Sequence, residues 1–240
     1  MTAMLARIGN LLFRWRNALG PLLFVLALAV GRPHYPFGRA DADLAFDLAG
    51  ALVALAGQAL RIVTIGYEYI ERGGRNRQVH ASTLVQGGVF GHCRNPLYLG
   101  NILIAAGFAL IVHSWAFYLL VLPFILFAYT AIVAAEEAFL RGKFGPEYTA
   151  YCARVNRWWP RWSGWRESVR GMRFNWARVL VKEYNTLFVL LLSLVGLRLW
   201  CEWQITGALP AMPYLVTGLA CWATSYLLVR SLKKSGRVQA

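Results

Sequence analysis

Two short stretches hold the side chains best equipped for chemistry. The first, GGVFGHCRNPLYLGN from Gly87 to Asn101, sets His92, Cys93, Arg94 and Asn95 directly before an apolar run that begins at Leu97. The second, AAEEAFLRGKFGPEYTAYCARVNRWWP, opens on the adjacent carboxylates Glu136 and Glu137 after an uncharged run. Arginine and the N–H groups at a helix start bind an anion, whereas a carboxylate binds an amine or hydroxyls. Pro96 suits the first turn of a helix, so Arg94 and Asn95 stand where its N-cap belongs. Tyr98 and Asn101 then share one face with Ala105, and Gly100 beside them permits close approach of another helix or a ligand. Polar groups on a membrane span usually face a protein interior or a watery cavity, and there they mark function.

The elements that must position these residues are membrane spans. The chain of 240 residues is 58% hydrophobic with a mean hydropathy of +0.45, and only 15% of it is charged, below the quarter usual for soluble domains. Its formal charge of +14 comes from 25 Lys and Arg against 11 Asp and Glu. So basic a chain raises nucleic acid as a partner, but the basic residues flank apolar runs and alternate with Trp, which is how a chain anchors on anionic lipid. Nucleic acid is therefore not an expected partner, and membrane lipid is. Cys93, Cys152, Cys201 and Cys221 form no CxxC pair and no spacing suited to a metal, so no metal site is expected.

Apolar runs near the length of about 20 residues that crosses a bilayer fall at 17–30, 45–64, 96–112, 115–135, 185–200 and 208–229. The expected fold is an all-α polytopic bundle of about six transmembrane helices with cytoplasmic amphipathic helices. The first run can be mistaken for a secretory signal peptide, but the charge register of the later spans requires it to cross. Lys and Arg crowd the N-terminus, residues 65–95 (Arg72, Arg75, Arg77, Arg94), residues 136–184 and the tail from Arg230, all on one side; Arg61 and Arg198 fall inside spans. Positive residues gather on the cytoplasmic side of short loops, so both termini and the polar cluster are expected there, in a bacterial inner membrane. Only His113 and Ser114 separate the third and fourth spans, which makes 96–112 and 115–135 a tight antiparallel hairpin with Pro96 beside Glu136. Phe144, Tyr148, Tyr151 and Val155 follow as one apolar helical face with Arg154 and Arg157 off it. The Trp- and Arg-rich stretch after Arg157 suits a helix or loop in the headgroup layer. Three segments result: N-terminal spans at 1–70, a core at 71–165, and an interfacial segment with two spans at 166–240.

Taken in order, these residues resemble the integral membrane methyltransferases that include isoprenylcysteine carboxyl methyltransferase and the phospholipid N-methyltransferases. The matching positions are Leu84, Val85, Gly88, Phe90, Arg94, Pro96, Tyr98, Gly100, Glu136, Glu137, Phe144, Gly145, Tyr148, Tyr151, Arg154, Val155, Arg157 and Pro160. The resemblance covers residues 84–160. It departs at Asn95, where the family usually has histidine, and at Gly91, where it often has arginine. Asparagine keeps hydrogen bonding but cannot take a proton near neutral pH, so a titrating imidazole would have to come from His92.

The resemblance implies an S-adenosylmethionine site opening to the cytoplasm and a lipophilic acceptor arriving from the membrane. Cofactor contacts would come from Gly88, His92, Arg94, Asn95, Pro96, Tyr98, Leu99, Asn101, Glu136, Glu137, Tyr148 and Tyr151, and catalytic roles would fall to Arg94, Glu137 and Arg154. The acceptor most in keeping is a carboxyl group on an isoprenoid or prenylcysteine-like molecule, which is already ionised at pH 7 and needs no general base. Alternatives are N-methylation of an amine phospholipid and a non-catalytic lipid-binding scaffold. An NADPH-dependent sterol-type reductase fits less well, because the chain is short and no phosphate-cradling glycine motif follows a strand.

Overall fold

The computed structural model describes residues 2–68, 70, 79–161 and 163–235. Six long helices carry the fold: α1 (Thr2–Val30), α2 (Ala40–Tyr67), α3 (Pro96–Val112), α4 (Leu122–Arg154), α6 (Trp176–Thr206) and α7 (Met212–Lys234), with a single-turn α5 (Trp165–Ser168) between α4 and α6. Five of the helices are long and apolar enough to cross a membrane, and α3 is a shorter apolar helix of 17 residues. The chain is a polytopic helical membrane protein. Of the predicted basic cluster, Arg72, Arg75 and Arg77 lie outside the described residues, as does Trp162.

The spans run longer than apolar runs suggest, because helix formation continues into polar flanks. The largest difference is at α6. The residues up to Glu183 read as an interfacial helix or loop ahead of a span at 185–200, yet the spanning helix itself starts at Trp176, where the Asn175 side chain accepts a hydrogen bond from the Arg178 N–H at 2.8 Å and caps it. Lys182 and Glu183 are thereby helical and project from a span. Upstream, the headgroup segment is mostly irregular chain, with α5 its one helical turn among the described residues.

The hairpin of α3 and α4 forms as its two-residue joint requires. His113 ends α3 in the left-handed conformation (φ 42°, ψ 52°), its ring nitrogen Nδ1 lying 2.9 Å from Tyr118 Oη. A π-turn at Phe117–Val121 then leads into α4. At this end Phe117, Val112, Ala109 and Leu197 form an apolar core with Ala27 and Cys201.

α2 and α3 pack almost backbone to backbone. A Cβ placed on Gly57 would lie 2.5 Å from the Gly100 carbonyl oxygen, and one on Gly100 would lie 2.7 Å from that of Gly57. The close approach expected of Gly100 is therefore made by a helix, in the small-residue manner of membrane interfaces. α1 lies along α4, with Leu12 and Phe13 packed on Ala128, Ala131 and Ile132.

In its last third α4 bends. Gly145 takes φ 50°, ψ −120°, a conformation in which a side chain is strained, and Pro146 follows it. The bend lays the remaining turns against the 84–90 loop, where Tyr148, Tyr151 and Val155 bury with Leu84, Leu140 and Phe144. The apolar face read from the spacing is thus the face that packs. Gly145→Ala is expected to cost about 1–3 kcal/mol, visible as a lower midpoint of thermal unfolding in detergent, while Gly142→Ala, which has open space for a Cβ inside the helix, does not lower the midpoint and gains up to about 1 kcal/mol.

Candidate active site

The hairpin brings the two polar stretches together as expected. Tyr98 Oη donates to Glu136 Oε1 at 2.6 Å and accepts from Arg16 Nη1 at 3.3 Å, so α1, α3 and α4 meet at one tyrosine. One turn deeper, Asn101 Nδ2 donates to Tyr129 Oη at 3.0 Å, and the Tyr98 and Tyr129 rings lie 4.9 Å apart.

The two adjacent glutamates have different surroundings. Glu137 is 2% exposed and surrounded by arginines: Arg157 Nε and Nη2 donate to its two oxygens at 2.9 and 2.5 Å, while Arg94 and Arg141 each reach it at 3.2 Å. The fork of Arg157 fits a carboxylate bidentately, the strongest geometry for such a pair. It also raises the Arg157 pKa above its ordinary value, because the bonded carboxylate favours the charged guanidinium. Glu136 is bonded to Tyr98 instead.

The segment after α4 folds back over the start of α3 as a strap, and the polar cluster grips it. Arg94 N donates to Asn156 O at 2.9 Å, Asn95 Nδ2 to Arg157 O at 3.1 Å, and Arg161 N to His92 O at 3.1 Å; His92 Nδ1 in turn contacts Arg161 O. Cys93 Sγ faces the carbonyls of Arg157 and Trp158 at 3.6 and 3.4 Å, and burial pushes its thiol pKa up to about 11, so the group stays neutral. Asn95 does not cap α3 through its side chain, as its position suggested. It holds the backbone of the residue whose guanidinium clamps Glu137. Histidine can make the same donation through a ring N–H, so Asn95→His is expected to leave ligand affinity within about threefold of the parent, whereas Asn95→Ala loses about 1 kcal/mol of stability; ligand titration and thermal unfolding distinguish the two.

Between these elements lies a cavity of about 750 Å³. Of the residues expected at a site, Arg94, Asn95, Pro96, Tyr98, Asn101, Glu136, Glu137, Tyr148 and Tyr151 line it. Gly88, His92, Leu99 and Arg154 are not on its wall. Gly88 sits in a 3₁₀ turn (Gly88–Gly91), His92 holds the strap, and Arg154 Nη2 donates to Gln86 Oε1 at 2.9 Å on the surface. Tyr151 Oη donates to Phe90 O at 2.7 Å, fixing the bent end of α4 over the opening.

Arg94 carries the most informative feature of the wall. Its Nη1 is committed to Glu137 and to Cys152 Sγ, while its Nε is buried with no hydrogen-bond partner among the described residues. A buried donor without a partner costs roughly 1–3 kcal/mol unless something else meets it. A ligand oxygen in the cavity can do so.

Other wall residues were not singled out by motif: Phe13, Arg16 and Asn17 from α1, Arg61 from α2, Tyr129 from α4, Lys182, Asn185 and Thr186 from α6, and residues 79–83 of the loop before α3. The one signal for them in the sequence is the isolated charge of Arg61 within an apolar helix, an arrangement that membranes tolerate only with a partner.

A model of the phospholipid methyltransferase family matches residues 48–147. The Cobalt-zinc-cadmium resistance protein CzcN of Cupriavidus metallidurans is 37% identical over 86 residues, which are 35% of this chain and 39% of that protein. The chain thus spans about two-fifths of that relative's length in the match. Among the described residues no group of three or more His, Cys, Asp or Glu is arranged to hold a metal ion. No solved structure matches the chain. Through residues 48–147, then, the core of this chain from α2 to the bend in α4 is similar to the phospholipid methyltransferase family, the grouping that its motifs resemble.

Proposed function

We propose that the protein is an S-adenosylmethionine-dependent membrane methyltransferase acting on a lipophilic acceptor, with carboxyl O-methylation of an isoprenoid or prenylcysteine-like substrate as its reaction. The observation that carries this reading is the cavity itself: about 750 Å³, walled by Arg94 with its unpartnered Nε, by Glu136 with Tyr98, and by apolar residues of α1, α3, α4 and the 79–85 loop. That volume is within the range of small-molecule sites. The donor set suits an amino-acid-bearing nucleoside. Arg94 takes the α-carboxylate, and Glu136 takes the amino group or ribose hydroxyls. Glu137, occupied by three arginines, keeps Arg94 and Arg157 in place and does not itself meet the ligand. Tyr148 and Tyr151 close the site from the bent end of α4, while Phe13, Leu97 and Leu140 offer apolar wall to a lipid tail.

When bound, S-adenosylmethionine supplies a methyl group on a sulfonium; with a carboxylate acceptor one O–C bond forms as the S–C bond breaks, the electron pair stays on sulfur, and no proton moves. The chain's own contribution is to align the reactants and exclude water, since positioning alone can supply much of the barrier reduction. The bundle and the bend of α4 do both. With the shorter α3 counted as a sixth span the two termini share a side, and the excess of Lys and Arg in the adjoining loops supports a cytoplasmic placement of that side, in keeping with a bacterial inner membrane protein.

The family match favours a second reading, N-methylation of an amine phospholipid. Such an acceptor must lose a proton, and Glu136 is the cavity carboxylate not clamped by arginines. One experiment tests both. The protein is incubated with methyl-labelled S-adenosylmethionine and a bacterial lipid extract, and the labelled lipid is treated with base. Release of label as methanol supports the carboxyl ester, stable label supports the methylamine, and no lipid labelling contradicts the methyltransferase reading.

A further inference from the structure

Arg61 and Glu183 belong to none of the motifs, and Glu183 lies beyond the family segment, yet they form a buried ion pair inside the bundle. Arg61 is 7% exposed and Glu183 1%. Arg61 Nε donates to Glu183 Oε2 and Nη2 to Oε1, both at 3.0 Å, and Gln58 Nε2 adds a third bond to the same carboxylate at 3.2 Å. Arg61 Nη1 donates to Asn101 Oδ1 at 2.6 Å, which joins the pair to Tyr129 and the catalytic hairpin. Withdrawing two charges from water is costly, and such a pair is often no more stabilising than apolar side chains of the same size. Charges kept inside membrane helices usually serve a ligand or a path.

The pair is asymmetric toward the cavity. Arg61 is on its wall, while Glu183 and Gln58 are not. The cavity is therefore shown the cation, with the carboxylate behind it. Of the five N–H groups of a guanidinium, Glu183 and Asn101 occupy three, which leaves donors for a ligand oxygen. The same bond fixes α6 so that its Lys182, Asn185 and Thr186 line the adjoining wall.

We propose that Arg61, oriented by Glu183, reads an anionic oxygen on the acceptor, so that the acceptor is a lipid with a carboxylate head. The inference rests on the methyltransferase reading, in which the separate cation Arg94 is given to the methyl donor. Glu183 is a positioning residue that acts through Arg61.

The full-length protein in detergent is tested with farnesoic acid, with farnesol as its uncharged counterpart, and with dioleoylphosphatidylethanolamine. In the parent, farnesoate raises the thermal unfolding midpoint and accepts labelled methyl, and farnesol does neither. The double variant Arg61→Met with Glu183→Met removes both charges of the pair together and is expected to fold. It is expected to bind S-adenosylhomocysteine within about threefold of the parent while losing the farnesoate shift. Glu183→Gln is expected to raise KM for farnesoate about tenfold or more with little change in kcat, as loss of one charged contact implies. A double variant stabilised by farnesoate as the parent is, or a parent stabilised equally by farnesol, overturns the inference. A parent that binds S-adenosylhomocysteine but methylates only the phosphatidylethanolamine overturns it while the methyltransferase reading stands. A folded parent that binds no S-adenosylhomocysteine overturns both.

Discussion

Glu137→Ala is expected to lower stability more than any other single change at the site, by about 3–5 kcal/mol, because removing one partner of a buried ion pair leaves the others uncompensated. Here three arginines lose their common carboxylate. Arg157 loses a bidentate bond and Arg94 a partner at 3.2 Å, with the Arg94 side chain only 12% exposed. Arg141, half exposed, can turn to solvent and contributes least. For a chain of this size the loss corresponds to a fall of about 10 °C in the unfolding midpoint, read by tryptophan fluorescence in detergent. Glu136→Ala should behave differently. Its removal frees Tyr98 Oη but strands no arginine cluster, so the midpoint moves little while affinity for S-adenosylhomocysteine falls. If the two variants were equally destabilised, the division of labour between the adjacent glutamates would be misassigned.

The second large effect is on binding. Arg94→Ala removes the cation proposed to meet the donor carboxylate, but leaves Glu137 its two bonds from Arg157 and its contact with Arg141. The protein should stay folded. Loss of a buried, hydrogen-bonded charge pair with a ligand costs about 2–5 kcal/mol, or roughly 30- to 1,000-fold in affinity. Arg94→Lys should recover only part of it, because an ammonium cannot keep Glu137 and the ligand on separate nitrogens of one planar group. Isothermal titration with S-adenosylhomocysteine checks both variants. Parent-like affinity in Arg94→Ala would move the donor site elsewhere in the cavity.

Local signals announced much of this site. Pro96 fixes the start of α3, and the uncharged run to Glu136 with only His113 and Ser114 between spans forces the hairpin, so the meeting of Tyr98 with Glu136 follows from chain geometry. The spacing of Phe144, Tyr148, Tyr151 and Val155 identifies the packed face of the bent helix. What the sequence hid depends on contacts between distant segments. Arg61 and Glu183 are 122 residues apart, and Glu183 sits in a Trp- and Arg-rich stretch that reads as interface until Asn175 is seen to cap α6. Asn95 occupies a cap position, but its side chain turns to the strap, which no local rule foretells. That adjacent Glu136 and Glu137 diverge follows from helix geometry, but which of them the arginines take needs Arg157, brought back by the bend at Gly145.

The most direct test of the central claim is equilibrium binding of S-adenosylhomocysteine to the detergent-solubilised, demonstrably folded protein, measured by isothermal titration beside Arg94→Ala and Glu136→Ala. The expected result is saturable one-to-one binding by the parent and strongly weakened binding by both variants. A folded parent without binding at millimolar ligand, or variants that bind as the parent does, would contradict it.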